Sequence, residues 1–188
     1  ITPIALSLRY FQEAGMLTQE NFEHVLRHRE PVCIVFSLRY FQETGILTQE
    51  NFESIRLHKE PMYIKRFLSS LHKVEILTQK NFEHVRSHPD LKNISRILKF
   101  IQEAGILTQE NFEHVLSEQE ITPLKLSLYY LQEAGMLTQQ NFESILCQDA
   151  TDIERFLSSL DRMGIVKEKN FEDVGAHAGL RNIRHILK

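Results

Sequence analysis

The chain has 188 residues, of which 42% are hydrophobic and 25% charged, a balance that excludes a fibrous chain and wholesale disorder. The formal charge is −3, so the chain as a whole lacks the basic excess of a non-specific nucleic-acid binder. It contains no run of about 18 apolar residues, which argues against a membrane-spanning helix, and no signal-peptide pattern follows Ile1. The charge is uneven. Residues 1–100 carry 14 Lys+Arg against 11 Asp+Glu, and residues 101–188 carry 8 against 14. Cys33 and Cys147 fall in helical, largely apolar contexts and read as reduced thiols rather than a disulfide framework.

Internal repetition dominates the sequence. Phe22, Phe52, Phe82, Phe112, Phe142 and Phe171 recur at spacings of 30, 30, 30, 30 and 29 residues. The block Leu-Thr-Gln-x-Asn-Phe-Glu stands intact at 17–23, 47–53, 77–83, 107–113 and 137–143. In the sixth copy Val166, Lys167 and Glu168 replace its first three residues.

Each repeat predicts a helical hairpin. Helix A of the second repeat runs from about Ile34 to about Gln42, with Leu38 and Phe41 in its apolar stripe. It stops at a glycine (Gly15, Gly45, Gly105, Gly135 or Gly164), the residue that enters a left-handed C-cap without a Cβ clash. The third repeat has Glu75 there, which predicts a strained or differently built cap. Helix B starts after a threonine N-cap, Thr18 and its equivalents. Leu17 and Phe22 flank that cap at the spacing of a hydrophobic staple. Helix B is about ten residues long and ends near His28. The turn to the next helix A contains Pro31, Pro61, Pro89, Pro3 or Pro123, expected at the first helical position. Six such units predict an all-α, right-handed superhelical solenoid. They form a single array over 1–188 that begins and ends within the repeat pattern, as a fragment of a longer protein would.

Internal comparison separates what repeats from what varies. The apolar positions agree between repeats, whereas the B-to-A turn differs. In turn order it reads His28-Arg29, His58-Lys59, His88-Pro89, Glu118-Gln119, Gln148-Asp149 and His177-Ala178. Two accounts are open. Exposed turns drift because packing does not constrain them. Alternatively, a row of equivalent turns reads a linear partner one unit at a time. Arg and Lys suit guanine, Gln adenine and an acid cytosine in a major groove.

On these residues the repeats resemble those of transcription-activator-like effectors. The Leu-Thr start, the short helix, the His-plus-variable pair and the longer following helix carry the likeness. The resemblance implies double-stranded DNA as partner, one base per turn. His28, His58, His88, Glu118, Gln148 and His177 would then brace the turns. Arg29, Lys59, Pro89, Gln119, Asp149 and Ala178 would face bases, and Lys92 and Arg181 would contact phosphate. The 30-residue repeat is shorter than that family's, the glycine pair after its loop is absent, and Glu30, Glu60 and Glu120 sit beside the turns. The phrase Glu-Ala-Gly-Ile-Leu-Thr-Gln-Glu-Asn-Phe at 103–112 also resembles tandem helical repeats in secreted effectors of intracellular gammaproteobacteria. That likeness implies a secreted protein acting in host cytoplasm or nucleus, with a host protein as the alternative partner.

No nucleophile–base pair, glycine-rich phosphate loop or zinc-protease motif stands out, so no enzyme, cofactor, metal or small-molecule substrate is expected. His24 with His28, and His84 with His88, have the four-residue spacing that can hold a metal on one helix face, without a third ligand. Glu23 and its equivalents read as a solvated face or as an acidic stripe for a basic partner. Tyr10, Phe11, Tyr40, Phe41, Tyr129 and Tyr130 read as inter-repeat core rather than stacking platforms for bases. A monomer is expected.

Overall fold

A computed structural model describes residues 3–147, 150–162 and 164. Among them the chain is all-α, with eleven helices and no strand. Helices of type A are α1 (Pro3–Glu13), α3 (Pro31–Glu43), α5 (Pro61–Lys73), α7 (Leu91–Glu103), α9 (Ile121–Glu133) and α11 (Ala150–Arg162). Those of type B are α2 (Gln19–Arg27), α4 (Gln49–Arg56), α6 (Gln79–Arg86), α8 (Gln109–Ser117) and α10 (Gln139–Leu146). None is long and apolar enough to cross a membrane. The chain forms two compact units, 1–95 and 96–188. The degenerate sixth copy of the block, with Lys167 and Phe171, lies outside the described residues.

The stop between A and B is built alike in the first five repeats, and the glycine of the sixth shares its backbone geometry. Gly15, Gly45, Gly105, Gly135 and Gly164 have φ near +70°, between 66° and 74°. The next amide reaches back into the helix, as from Met16 N–H to the Phe11 carbonyl at 2.7 Å and from Ile46 N–H to that of Phe41 at 2.9 Å. The glycine amide bonds one turn back, Gly15 N–H to the Gln12 carbonyl at 3.1 Å. These two bonds define a Schellman motif. Glu75 makes the same bonds, to His72 at 3.1 Å and from Ile76 to Leu71 at 3.0 Å, with φ of 60°. The motif thus forces a residue with a Cβ into the left-handed region, at a cost.

The start of helix B explains the repeated block. The threonine hydroxyl caps the helix, accepting the asparagine amide: Thr18 from Asn21 at 3.1 Å, Thr48 from Asn51 at 3.1 Å, Thr108 from Asn111 at 3.1 Å. That asparagine is buried in all five described repeats. Its side-chain amide donates to the loop carbonyl five residues back, Asn51 to Ile46 at 2.7 Å and Asn111 to Ile106 at 2.6 Å. It also joins the glutamine that opens the next helix B. Within the 1–95 unit, Asn21 pairs with Gln49 at 2.9 and 3.1 Å, and Asn51 with Gln79 at 2.6 and 3.2 Å. Within the 96–188 unit, Asn111 pairs with Gln139 at 2.7 and 3.3 Å. The second glutamine hydrogen goes to the glutamate four residues on, Gln79 to Glu83 at 2.7 Å.

Apolar packing follows the same order. In the first unit α1 packs on α3 and α3 on α5; in the second α9 packs on α11. The helix A phenylalanine meets the phenylalanine on helix B of the next repeat edge-on, Phe11 with Phe52 at 4.9 Å and Phe41 with Phe82 at 4.8 Å. Such pairs contribute beyond their buried area. Phe52, Phe82, Phe112 and Phe142 are fully buried. Phe22 is half-buried and Leu17 exposed.

Three sequence expectations need correction. Pro31 and Pro61 open α3 and α5, but Pro89 lies two residues ahead of α7 and Pro123 is the third residue of α9. Cys33 is half-buried in α3, whereas Cys147 is exposed at the end of α10. Phe11 and Phe41 are core, but Tyr129 is 42% exposed and leans on Phe100 and Tyr130.

Two stability outcomes follow from this geometry. Asn51→Ala leaves the Ile46 carbonyl and the Gln79 amide without their partner, and is expected to cost about 1–3 kcal/mol. Glu50→Ala, on the variable exposed position beside it, should stay within about 0.5 kcal/mol of the parent. Glu75→Gly removes the Cβ from a left-handed residue and should stabilise by about 1 kcal/mol. Urea unfolding of the three variants checks all three values.

Candidate recognition edge at the inter-helix turns

The B-to-A turns share one brace. Past the end of helix B, the imidazole Nδ1 of His28 accepts the Glu30 amide at 3.0 Å, His58 that of Glu60 at 3.0 Å, and His88 that of Asp90 at 3.1 Å. In the fourth repeat the Glu118 carboxylate accepts the Glu120 amide at 2.9 Å. Each is a side-chain acceptor closing a turn on the backbone two residues on, as Asn and Asp do in Asx turns. Acceptance at Nδ1 places the histidine proton on Nε2, by the logic of the hydrogen-bond network. The residue in between, Arg29, Lys59, Pro89 or Gln119, is exposed. Gln148, Asp149, His177, Ala178 and Arg181 lie outside the described residues. Lys92 is exposed on the first turn of α7.

In the 1–95 unit two contacts align α3 and α5 in parallel. The Lys65 ammonium sits 4.7 Å from the Phe36 ring centre near one end, and the His72 ring 5.1 Å from that of Tyr40 near the other. The turns carrying Arg29 and Lys59 therefore lie on a common edge. Carboxylates begin the A helices beside these turns. Glu30 and Glu60 stand at the N-caps of α3 and α5 without a side-chain cap bond. Asp90 accepts from the Asn93 amide at 3.2 Å and side chain at 2.8 Å. Glu120 accepts from the Thr151 amide at 3.3 Å and hydroxyl at 2.9 Å. A carboxylate is favourable at a helix N-terminus, and the same charge repels phosphate.

The paired histidines do not share a helix face as their spacing suggested. His28 and His88 lie beyond α2 and α6 with Nδ1 occupied, while His24 meets Glu20 at 3.4 Å. Among the described residues no group of three or more His, Cys, Asp or Glu could hold a metal ion. Burial pushes the Cys33 thiol up, the Glu30 carboxylate adds to this and Lys65 opposes it. What sequence reasoning missed on this edge is its apolar component. Val32, Phe36, Leu57 and Met62 are exposed near the turns. The signal was available at Val32 and Met62, which hold equivalent places next to prolines at the start of consecutive A helices.

No family model, curated protein or solved structure matches the chain at a significant level.

His88 gives the edge a pH dependence of known sign. Burial holds its imidazole below the ordinary value of 6.5, against the opposing pull of Asp90. On acidification the unfolded chain therefore binds the proton first, so stability is lost as pH falls through 6.5 towards the lower folded value. His88→Asn keeps a side-chain acceptor without the titration. Between about pH 7.5 and about pH 5.5 the parent should lose more thermal stability than this variant, as scanning calorimetry would read.

Proposed function

We propose that the chain is a non-catalytic recognition scaffold that contacts an extended partner along its B-to-A turns. The observation that supports this is the shared brace: four turns use a side-chain acceptor on the same backbone position, and each presents a different exposed residue. A fixed frame around a variable side chain is what a repeat reader needs. In this reading the six hairpins over 1–188 stack as a right-handed superhelix, so that successive turns form one row.

A protein segment is the partner the edge suits better. Glu30, Glu60, Asp90 and Glu120 put a carboxylate beside every described turn, which opposes a partner that carries a phosphate at every unit, whereas a protein segment can place its charges only opposite Arg29 and Lys59. The apolar side chains near Arg29 and Lys59 have no counterpart to cover them on a DNA groove apart from thymine methyls. The likeness to secreted effector repeats makes a host protein the source of that segment.

Duplex DNA is the second reading, favoured by the exposure of Arg29, Lys59 and Gln119 at the braced turns. One base per turn then gives guanine for Arg29 and Lys59, adenine for Gln119 and cytosine for Asp149, with Pro89 and Ala178 discriminating weakly. Selection of the purified chain against a random duplex pool at about 50 mM salt separates the readings. Under the DNA reading a specific site emerges, and Gln119→Arg shifts one position from adenine to guanine by roughly 1–3 kcal/mol. If no duplex is enriched, the DNA reading fails and the protein reading stands.

A further inference from the structure

We propose that the turn edge of the 1–95 unit docks an acidic peptide segment carrying one large apolar side chain; this rests on the protein-partner reading above. The edge is apolar in a way its function as a surface turn does not require. Val32 is 44% exposed, Phe36 36%, Leu57 68% and Met62 43%. Val32 and Phe36 lie four residues apart on α3 and so share a face. Met62 stands in the first turn of α5, and Lys65 spans from α5 to the Phe36 ring at 4.7 Å. These side chains therefore form one surface across two adjacent helices.

The charge around that surface selects the partner. Arg29 and Lys59 are exposed in the two turns. Neither they nor Lys65 make an ion pair among the described residues, whereas Arg9, Arg39 and Arg56 elsewhere in the unit each hold a glutamate. The carboxylates on the edge are fewer and less available. Glu30 has one oxygen enclosed by protein, leaving Glu60 as the exposed acid. An apolar side chain seated on Val32, Phe36 and Met62, with carboxylates to either side, meets both features at once. A phosphate backbone would use Arg29 and Lys59 but leave the apolar surface wet. In the 96–188 unit the turn place holds Gln119 rather than a cation, and the apolar places hold Thr122 and half-buried Leu126.

The test uses the whole chain and fluorescein-labelled peptides of about twelve residues, made of Asp and Glu around a central Phe. One companion peptide has Gly at the centre and another has Lys in place of the acids. Fluorescence anisotropy is expected to show binding of the acidic Phe peptide, with each companion weaker by about tenfold or more. Met62→Ser and Phe36→Ser should each weaken binding to a similar extent. Gln119→Ala in the other unit should not. Met62 and Phe36 are solvent-exposed, and circular dichroism verifies that the variants fold. Equal binding of the Gly peptide, or full displacement by a random duplex, would overturn the proposal in favour of a general polyanion site. Absence of binding by the Phe peptide would overturn it as well. Unbiased peptide display on the same chain then distinguishes the two levels. Selected ligands that still bind Met62→Ser leave the protein reading standing without this surface, and selection of none removes both.

Discussion

The buried asparagine that opens each helix B is the constraint on which the rest of the repeat depends. A side-chain amide away from water must satisfy its hydrogen-bonding groups inside the protein or destabilise the fold. Asn51 does so with no donor left over. One amide hydrogen goes to the Ile46 carbonyl, the other to Gln79, and its oxygen takes a hydrogen from Gln79 in return. Gln79 is equally saturated, because its second hydrogen goes to Glu83. One side chain thereby fixes the loop before helix B, the start of helix B and the register of the following repeat. The apolar contacts could tolerate a slip or a substitution of similar volume. This amide pair cannot, since any shift breaks two reciprocal bonds together.

The fold was legible because its grammar is written several times in one chain. The glycine stops, the threonine caps and the core phenylalanines could be read from spacing and local chemistry alone. The sequence marks Glu75 as the site of a strained or differently built cap, and its φ of 60° with the same two bonds makes it the strained one. The role of the asparagine was not legible. Its partner stands 28 residues away, and a single sequence does not say which polar side chains in adjacent repeats meet. Pro89 shows a different limit. Its sequence place matched Pro31 and Pro61, yet Asp90 follows it and caps α7 through Asn93. A capping side chain therefore sets the helix start where a proline did in the other repeats. The histidine bonds at the turns were not legible from spacing. They run from Nδ1 to an amide two residues on, a pairing that residue type alone does not specify.

This bonding pattern also accounts for where variation is permitted. Within the block Thr-Gln-x-Asn-Phe-Glu, the threonine oxygen, the glutamine amide, the asparagine amide and the phenylalanine ring are all engaged inside the protein. The unspecified place holds Glu20, Glu50, Lys80, Glu110 and Gln140. Of these the described structure exposes every one, and it is the place whose identity changes. The same rule extends to the turns. His28, His58, His88 and Glu118 supply an acceptor and change only between groups that can accept. The exposed place between the brace and the carboxylate differs at every described turn, Arg29, Lys59, Pro89 and Gln119.

A partner can be read only by groups whose bonding capacity the fold has not already used. In the 1–95 unit the arginines on α1, α3 and α4 are held by glutamates one turn away, so a ligand would have to break an existing pair to recruit them. Arg29 and Lys59 carry no such debt. The nearby Val32 and Met62 likewise remain in water although equivalent effort elsewhere buries the apolar face of each helix. At the turn edge, cations without an ion pair among the described residues and exposed apolar side chains occur together. The repeated residues use their interactions in holding one hairpin to the next, and the unrepeated ones at the described turns stay exposed.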